Sequence, residues 1–293
     1  RRILEHDLRH AAARPALFAV RDRLSGAAEL LQADRLLGHR RVALLRAAAA
    51  MTRYSIWVVS PPNYIHSQAF DEVAQGFNAA FRALGLECEI VREPSRLGDV
   101  TIVLGGNLLS AVPVPQGKRL ILFNLEQITP GSPWLTDAYL ALLRRYPVWD
   151  YSEGNIAELA RMNIKAAHCG IGYVPELTRI APAVEDIDVL FVGSVNDRRL
   201  TVLKQLATAG VNVEARFNVY GAERDAFLAR SKIMLNVHYY ESRLFEIVRV
   251  SYLLANRKCV VSETGADRAI EQQFEPGIAF APYEKLAETC IGL

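Results

Sequence analysis

The run Asp188-Val-Leu-Phe-Val-Gly-Ser-Val-Asn-Asp-Arg-Arg199 carries the sharpest chemical signal in the chain. An apolar strand runs into Gly193 and Ser194, and a helix is expected a few residues later, past Asn196. Small residues let the backbone approach a ligand, and free N–H groups at a helix start favour an anion such as phosphate. Arg198 and Arg199 add guanidinium forks that match phosphate oxygens. The plain alternative is a strand–helix turn with two solvated arginines. A second run, Ser231–Arg249 (SKIMLNVHYYESRLFEIVR), ends a strand at Val237 and releases His238, Tyr239, Tyr240 and Glu241 into a loop. Glu246 and Arg249 follow at i and i+3, a spacing that shares a helix face. Glu246 could accept hydrogen bonds from ribose hydroxyls, and Arg249 could meet a phosphate or hold Glu246. The alternatives are an ordinary surface pair and a structural histidine.

Three further groups fall at strand ends. His66 follows the first strand in the loop Pro61–Ser67, where a neutral imidazole could take a proton from a hydroxyl. Asn63 and Tyr64 share that loop. Asn107, after Gly105-Gly106, and Asn124, Glu126 and Gln127 in FNLEQ sit at the ends of two more strands. The run Asp150–Asn155 ends another. Polar residues on such loops either bind ligand or simply face water. There is no GxGxxG after the first strand, no GxxxxGK[ST], no HExxH and no GxSxG. Those absences argue against a nicotinamide site and a P-loop, and no metal site is expected.

The elements that must carry these residues are legible as periodicity. Short continuous apolar runs read as buried parallel strands at Ser55–Ser60, Glu87–Val91, Val100–Leu104, Arg119–Phe123, Pro147–Tyr151 and Ile164–His168. Helices are expected at Ser67–Leu84, capped by Ser67 and stopped by Gly85, at Trp134–Arg144 and at Asn155–Met162. After a Gly- and Pro-bearing stretch, strands recur at Ile187–Val192, Val211–Phe217, Lys232–Val237 and Cys259–Val261. Helices at Asp197–Ala209, Ala222–Ala229 and Leu244–Ala255 alternate with them. Alternation of this kind predicts two open α/β domains with parallel sheets. The boundaries are a helical segment over 1–50, a first domain over 51–170, a linker over 171–186 and a second domain over 187–293. A cleft between the domains, faced by the strands' carboxyl ends, is where ligands are expected.

Length and composition agree. The 293 residues suit about two domains of roughly 100–150 residues. With 51% hydrophobic and 23% charged residues, disorder is not expected. Net charge is +2, from 34 basic against 32 acidic residues, which excludes a nucleic-acid binder of strongly basic character. Four cysteines without a CxxC pair fit a reducing, cytoplasmic setting. No apolar run reaches the roughly 18–20 residues of a membrane span. Residues 1–50 are rich in Ala, Leu and Arg, with Leu30, Leu37 and Leu44 at helical spacing. They read as a helical cap for self-association, or as a basic face for peripheral contact with an inner membrane.

DVLFVGSVNDRR, SKIMLNVHYYESRLFEIVR and LANRKCVVSE (Leu254–Glu263) resemble the C-terminal half of bacterial GT-B glycosyltransferases of the broad group-1 type. FNLEQ, WDYSEGN (Trp149–Asn155) and GYVPEL (Gly172–Leu177) are similar to segments of the same proteins. The resemblance covers Tyr54 to the end and leaves out residues 1–50. It implies two Rossmann-like domains, with a nucleotide-sugar donor on the second as substrate rather than cofactor. Gly193, Ser194, Arg198 and Arg199 then match the loop facing the donor diphosphate, joined by Asn196, Tyr239, Glu246 and Arg249. Asn63, Tyr64, Asn107, Asn124, Glu126 and Gln127 fall on the acceptor side. His66 matches the place where inverting members carry a base, with His238 and Glu241 next in line. The turn that follows the usual E-x7-E pair reads Asn256-Arg257-Lys258-Cys259-Val260-Val261 here, a departure from Gly-x-Pro-Val-Val. The expectation is a metal-independent glycosyltransferase acting on a glycan, lipid-linked or protein hydroxyl in bacterial surface-glycan synthesis. The alternatives are a non-catalytic nucleotide- or sugar-binding module and a GT-B-fold nucleotide-sugar epimerase.

Overall fold

The structure is a computed structural model and describes residues 52–129 and 131–293. The helical segment expected over residues 1–50 lies outside them. The chain divides into two compact units, the first ending at Glu176 and the second running from Leu177 to Leu293. Each is an α/β unit built on one parallel sheet.

In the first unit the apolar runs become β1 (Tyr54–Val58), β2 (Cys88–Val91), β3 (Val100–Leu104), β4 (Arg119–Asn124), β5 (Val148–Asp150) and β6 (Ala166–His168). Their order is β2-β1-β3-β4-β5-β6. The helices are α1 (Asp71–Ala83), α2 (Asp137–Arg145) and α3 (Glu153–Arg161). Thr136 and Ser152 cap the last two through their hydroxyls, accepting from the N–H groups of Tyr139 and Asn155. Trp57, Val103, Leu122 and Val148 pack at the centre of the core. One expected helix divides in two. The segment over Ser67–Leu84 begins as a 3-10 turn, Ile65–Phe70, before α1. Ser67 is buried and donates to the Val59 carbonyl at 2.7 Å, so it is no N-cap. A buried hydroxyl must find a partner, and the strand-end carbonyl is the one in reach. Gly85, at φ +72, stops the helix as expected.

In the second unit the strands are β7 (Ile187–Val192), β8 (Val213–Arg216), β9 (Ser231–Asn236), β10 (Cys259–Glu263) and β11 (Ile278–Ala281), in the order β11-β10-β9-β7-β8. The helices are α4 (Asp197–Thr208), α5 (Gly221–Ala229), α6 (Ile247–Ala255), α7 (Arg268–Phe274) and α8 (Leu286–Gly292). Helix α7 was not expected. The helix expected from Leu244 starts at Ile247, which leaves Glu246 at its entry. The residues leading into this sheet are tied to the unit itself. Asn256, just past α6, accepts the N–H groups of Arg179 and Ile180 at 2.9 Å each and donates to the Leu177 carbonyl at 2.8 Å. Thr178 donates to the Ala255 carbonyl at 2.8 Å.

Both sheets reverse direction once. The chain steps from β1 out to β2 and returns past β1 to β3. In the second sheet it steps from β7 to β8 and returns to β9. Crevices open at the carboxyl ends of the strands where order reverses, here β1/β3 and β7/β9. Among the described residues no helix is long and apolar enough to cross a membrane.

Gly98 shows how tightly β1 and β3 meet at their other ends. A Cβ there would lie 2.3 Å from the Arg53 carbonyl oxygen. That oxygen already accepts from the N–H groups of Asp99 and Val100. We expect Gly98→Ala to cost on the order of 1–3 kcal/mol through overpacking. A denaturant midpoint like that of the parent chain would contradict it.

Candidate functional site

The β7–α4 turn is built around Gly193. Its φ of +146 lies where residues with a side chain are strained, and its N–H donates to the Arg216 carbonyl at 2.9 Å. A Cβ on Gly193 would lie 3.1 Å from Arg249 Nη2 and 3.6 Å from Arg199 Nη1. Two guanidiniums therefore flank this turn. Asn196 caps α4, its Oδ1 accepting from the Arg199 N–H at 3.0 Å.

Neither Arg198 nor Arg199 is the solvent-facing fork that the sequence suggests. Arg199 is 2% exposed. Its Nε and Nη2 both donate to the Val237 carbonyl, at 2.9 and 2.6 Å, and its Nη1 to the Ser194 carbonyl at 2.8 Å. It thereby joins the ends of β7 and β9, with its guanidinium 5.1 Å from the Phe191 ring and 5.0 Å from the Tyr239 ring. Burial, and then the neighbouring Arg249 charge, pulls Arg199 down to about 10. Arg198 forms a bidentate pair with Glu263, a carboxylate only 1% exposed, and lies 4.0 Å from the Tyr283 ring. Arg249 is left as the half-buried guanidinium whose Nη2 borders the turn, while its Nη1 donates to Asn236 Oδ1 at 3.1 Å.

Glu246 completes the group. Its Oε2 lies 3.0 Å from Asn236 Nδ2 and 2.9 Å from His238 Nδ1. Its Oε1 is 3.9 Å from Arg199 Nη2. Burial opposes its charge, but the His238 and Asn236 contacts and the Arg249 charge outweigh it and hold the carboxyl at about 2. Arg199 and Arg249 are thus set against one ionised carboxylate, since Arg198 is neutralised by Glu263. The surplus is positive, in a crevice where the strand order reverses, and such a place suits an anion that also carries hydroxyls.

The first unit gathers a different network. Asp150 is wholly buried and accepts from Asn124 Nδ2 at 2.6 Å, from the Ser152 N–H at 2.8 Å and from Asn155 Nδ2 at 3.2 Å. Asn124 Oδ1 accepts from the Tyr139 hydroxyl at 2.7 Å and from the Glu126 N–H at 3.2 Å. The Glu126 carbonyl accepts from both Asn124 and Asn155. Every bond of this set fixes the loop after β4. The half-buried Glu126 carboxylate then accepts from Asn107 Nδ2 at 3.0 Å. Burial pushes both carboxyls up to about 7, Asp150 against its donors and Glu126 against Asn107. Burial also pushes the Tyr139 hydroxyl well above its ordinary range, helped by those two charges.

The expected residues therefore separate into groups. Gly193, Arg199, Glu246 and Arg249 meet at the β7/β9 crevice, with Ser194, Asn196 and Tyr239 around them. Ser194 and Tyr239 are exposed. His238 is 1% exposed, so it belongs to the support of the site and not to its surface, a correction to the loop reading. Glu241 stands exposed in the following turn. Asn124 is fully buried and braces the loop that it was expected to present to ligand, while Asn107, Glu126 and Gln127 remain half-buried. Asn63 is exposed at φ +61. His66, half-buried in the 3-10 turn, packs edge-on against Tyr64 with ring centroids 5.2 Å apart. Asp150 and Asn155, expected only as strand-end loop residues, prove to be buried braces, and Asn236, Glu263, Gly265 and Tyr139 were not anticipated as parts of either site. Among the described residues no three His, Cys, Asp or Glu side chains gather as metal ligands.

No family model matches the sequence. Two proteins of Acanthamoeba polyphaga mimivirus are similar to it. Uncharacterized protein L140 is 29% identical over 179 residues, covering 58% of this chain and 58% of its own. Uncharacterized protein R358 is 28% identical over 181 residues, covering 59% and 61%. The chain thus matches about three fifths of the length of these curated relatives. Two solved structures share the fold. One is AviGT4, a glycosyltransferase involved in avilamycin A biosynthesis, with 15% identity, 83% of this chain and 89% of that one covered, and a TM-score of 0.50. The other is an alpha-glucosyltransferase in complex with UDP and a 13-mer DNA containing a HMU base, with 8% identity, 82% and 89% covered, and a TM-score of 0.51. The fold is accordingly GT-B-like, as expected.

The raised carboxyls of the first unit set a pH dependence. Folded Asp150 and Glu126 titrate near 7, above the unfolded value of roughly 4. The folded state keeps protons that the unfolded chain releases, so this contribution is full below roughly pH 4 and is lost as pH rises through 7. The loss is at most roughly 1.4 kcal/mol per pH unit for each group. We expect the denaturant midpoint of the first unit to fall between pH 5 and pH 8. Glu126→Gln, which keeps an acceptor for Asn107, should flatten that fall. An identical slope in the variant would show that Glu126 does not titrate there.

Proposed function

We propose that this chain transfers a glycosyl group from a nucleotide-sugar to an acceptor hydroxyl, with the donor held on the second unit. The observation that carries this reading is the Gly193 turn, a side-chain-free bend flanked by the Arg249 and Arg199 guanidiniums at the start of a capped helix. Diphosphate is the common anion that uses guanidiniums and helix N–H groups together. The fold shared with two glycosyltransferases, one of them bound to UDP, supports the same reading.

Each residue then has a task. Arg249 meets the diphosphate, while Arg199 supplies charge from behind the turn. Glu246 accepts hydrogen bonds from hydroxyls of the ribose or sugar. The exposed Tyr239 ring offers a flat apolar surface beside them. On the first unit, His66 takes the acceptor's proton, and Glu126 and Asn107 hydrogen-bond its hydroxyls. The acceptor oxygen forms a bond to the anomeric carbon as the bond from that carbon to the diphosphate oxygen breaks. The leaving diphosphate gains charge, and fixed guanidiniums stabilise it there without reorganising. They do the work that a divalent cation does elsewhere.

Calorimetry with UDP, GDP and ADP, each against its nucleoside, tests the donor site. Arg249→Ala should weaken the bound diphosphate ten- to a hundredfold, the loss of about 1.5–3 kcal/mol for a charge-assisted hydrogen bond. It should leave the nucleoside and the melting midpoint nearly unchanged. Arg199→Ala should instead lower the midpoint, because two strand-end carbonyls lose their donors. If none of the three diphosphates binds the parent chain, the reading is wrong. Once a donor is found, His66→Ala should lower kcat by roughly a hundredfold with donor affinity intact. Turnover at the parent rate would remove His66 as the proton acceptor.

A further inference from the structure

His238 is held in a way that its own stability does not explain. It is 1% exposed, and neither ring nitrogen makes an aligned hydrogen bond. Nδ1 lies 2.9 Å from Glu246 Oε2, close enough for an ion pair but off the line of donation. Nε2 faces Gly265. A Cβ on that glycine would lie 2.8 Å from Nε2, 2.2 Å from the Arg243 carbonyl oxygen and 3.1 Å from Glu271 Oε1. Burying polar nitrogens without full satisfaction weakens a fold, and an apolar side chain would avoid that loss. The surroundings nevertheless clamp this residue. Its N–H donates to Glu263 Oε2 at 3.0 Å, and Arg198 Nη1 donates to its carbonyl at 3.3 Å.

What the clamp fixes is Glu246. Its Oε2 is shared between His238 Nδ1 and Asn236 Nδ2, and Asn236 is held in turn by Arg249 and by Ser262 Oγ at 3.0 Å. Oε1 accepts no hydrogen bond and lies 3.9 Å from Arg199 Nη2, on a side chain that is 17% exposed. We propose that His238 is a positioning residue which fixes the Glu246 carboxylate through Oε2 and leaves its Oε1 as a hydroxyl acceptor beside the Gly193 turn. For its ligand this rests on the nucleotide-sugar reading above. For the link between the two side chains it rests on geometry alone. The charged groups around the pair are few. Arg199, Arg249 and His238 face Glu246. Glu246 faces His238 on one side, Glu271 stands beyond Gly265, and Glu263 and Arg198 hold the main chain.

Two variants test this, His238→Leu, which removes both nitrogens, and His238→Gln, which keeps one side-chain donor. The first measurement needs no ligand, only the Glu246 carboxyl carbon followed by NMR as pH is lowered. In the parent chain it should stay ionised down to pH 4. In His238→Leu it should titrate above that, and in His238→Gln between the two. The second is calorimetry with UDP-glucose and GDP-mannose, whose substituted diphosphates do not titrate between pH 5 and 8. His238→Leu should keep the parent melting midpoint or raise it, yet lose tenfold or more in affinity, with a new acid limb in its pH profile. A lowered midpoint with unchanged affinity and unchanged Glu246 titration would mean that His238 only fills space, and would overturn the proposal. If neither sugar nucleotide binds the parent chain, the nucleotide-sugar reading fails, while the carboxyl titration still decides whether His238 governs Glu246.

Discussion

A single buried guanidinium holds the second unit's crevice in shape. Arg199 comes from the first turn of α4, reaches across the sheet end and ties together the Ser194 and Val237 carbonyls, just past β7 and β9. Those are the neighbouring strands at which the order reverses, and their pairing ends at Leu190 and Met234, short of both carbonyls. Burying a cation there demands partners on every donor, and main-chain carbonyls supply them without neutralising its charge. The consequence spreads outward. Arg249 is set beside a like charge, Glu246 becomes the carboxylate that eases the repulsion, and Asn236 and His238 are needed to hold Glu246. Glu263 takes Arg198 out of the competition altogether.

The two units solve a similar topological problem with opposite electrostatics. In the second, the His238 contact, the Arg249 charge and the Asn236 contact outweigh burial and hold Glu246 at about 2. In the first, Glu126 and Asp150 have amides and main-chain N–H groups as partners instead of guanidiniums, and burial takes them up to about 7. Amide partners direct hydrogen bonds without cancelling charge, so such a network fixes a loop while leaving its carboxyls responsive to protons.

The sequence made the strands legible because both faces of a parallel sheet are buried, and continuous apolar runs such as SIWVV and DVLFV have few other uses. Gly85 and Gly193 were legible for a related reason, since each marks a turn that side chains resist. Ser67 misled because a hydroxyl before a helical stretch looks the same whether it caps the helix or bonds a strand end. Arg198 and Arg199 look equivalent as neighbours, yet one helical step turns the first toward Glu263 and the second into the core. Glu263 and Asn236 carried no signal as site residues, and Asp150 only that of a polar strand end. A buried polar residue is recognisable only by the partner that satisfies it, and several of these partners lie 13 to 65 positions away. Helix α7 is one short stretch of seven residues, too brief for a periodic pattern.

Asn256 gives the second unit a mechanical property. Its side chain grips the main chain at Leu177, Arg179 and Ile180, where the polypeptide enters the unit. It also terminates α6, whose opposite end begins at Glu246 and carries Arg249 in its first turn. A hydrogen-bonded helix resists stretching along its axis far better than a loop does. Tension on the incoming chain is therefore delivered to a stiff rod nine residues long, with Glu246 and Arg249 at its far tip. The entry segment and the β7/β9 crevice are joined end to end like a pull-cord and its latch.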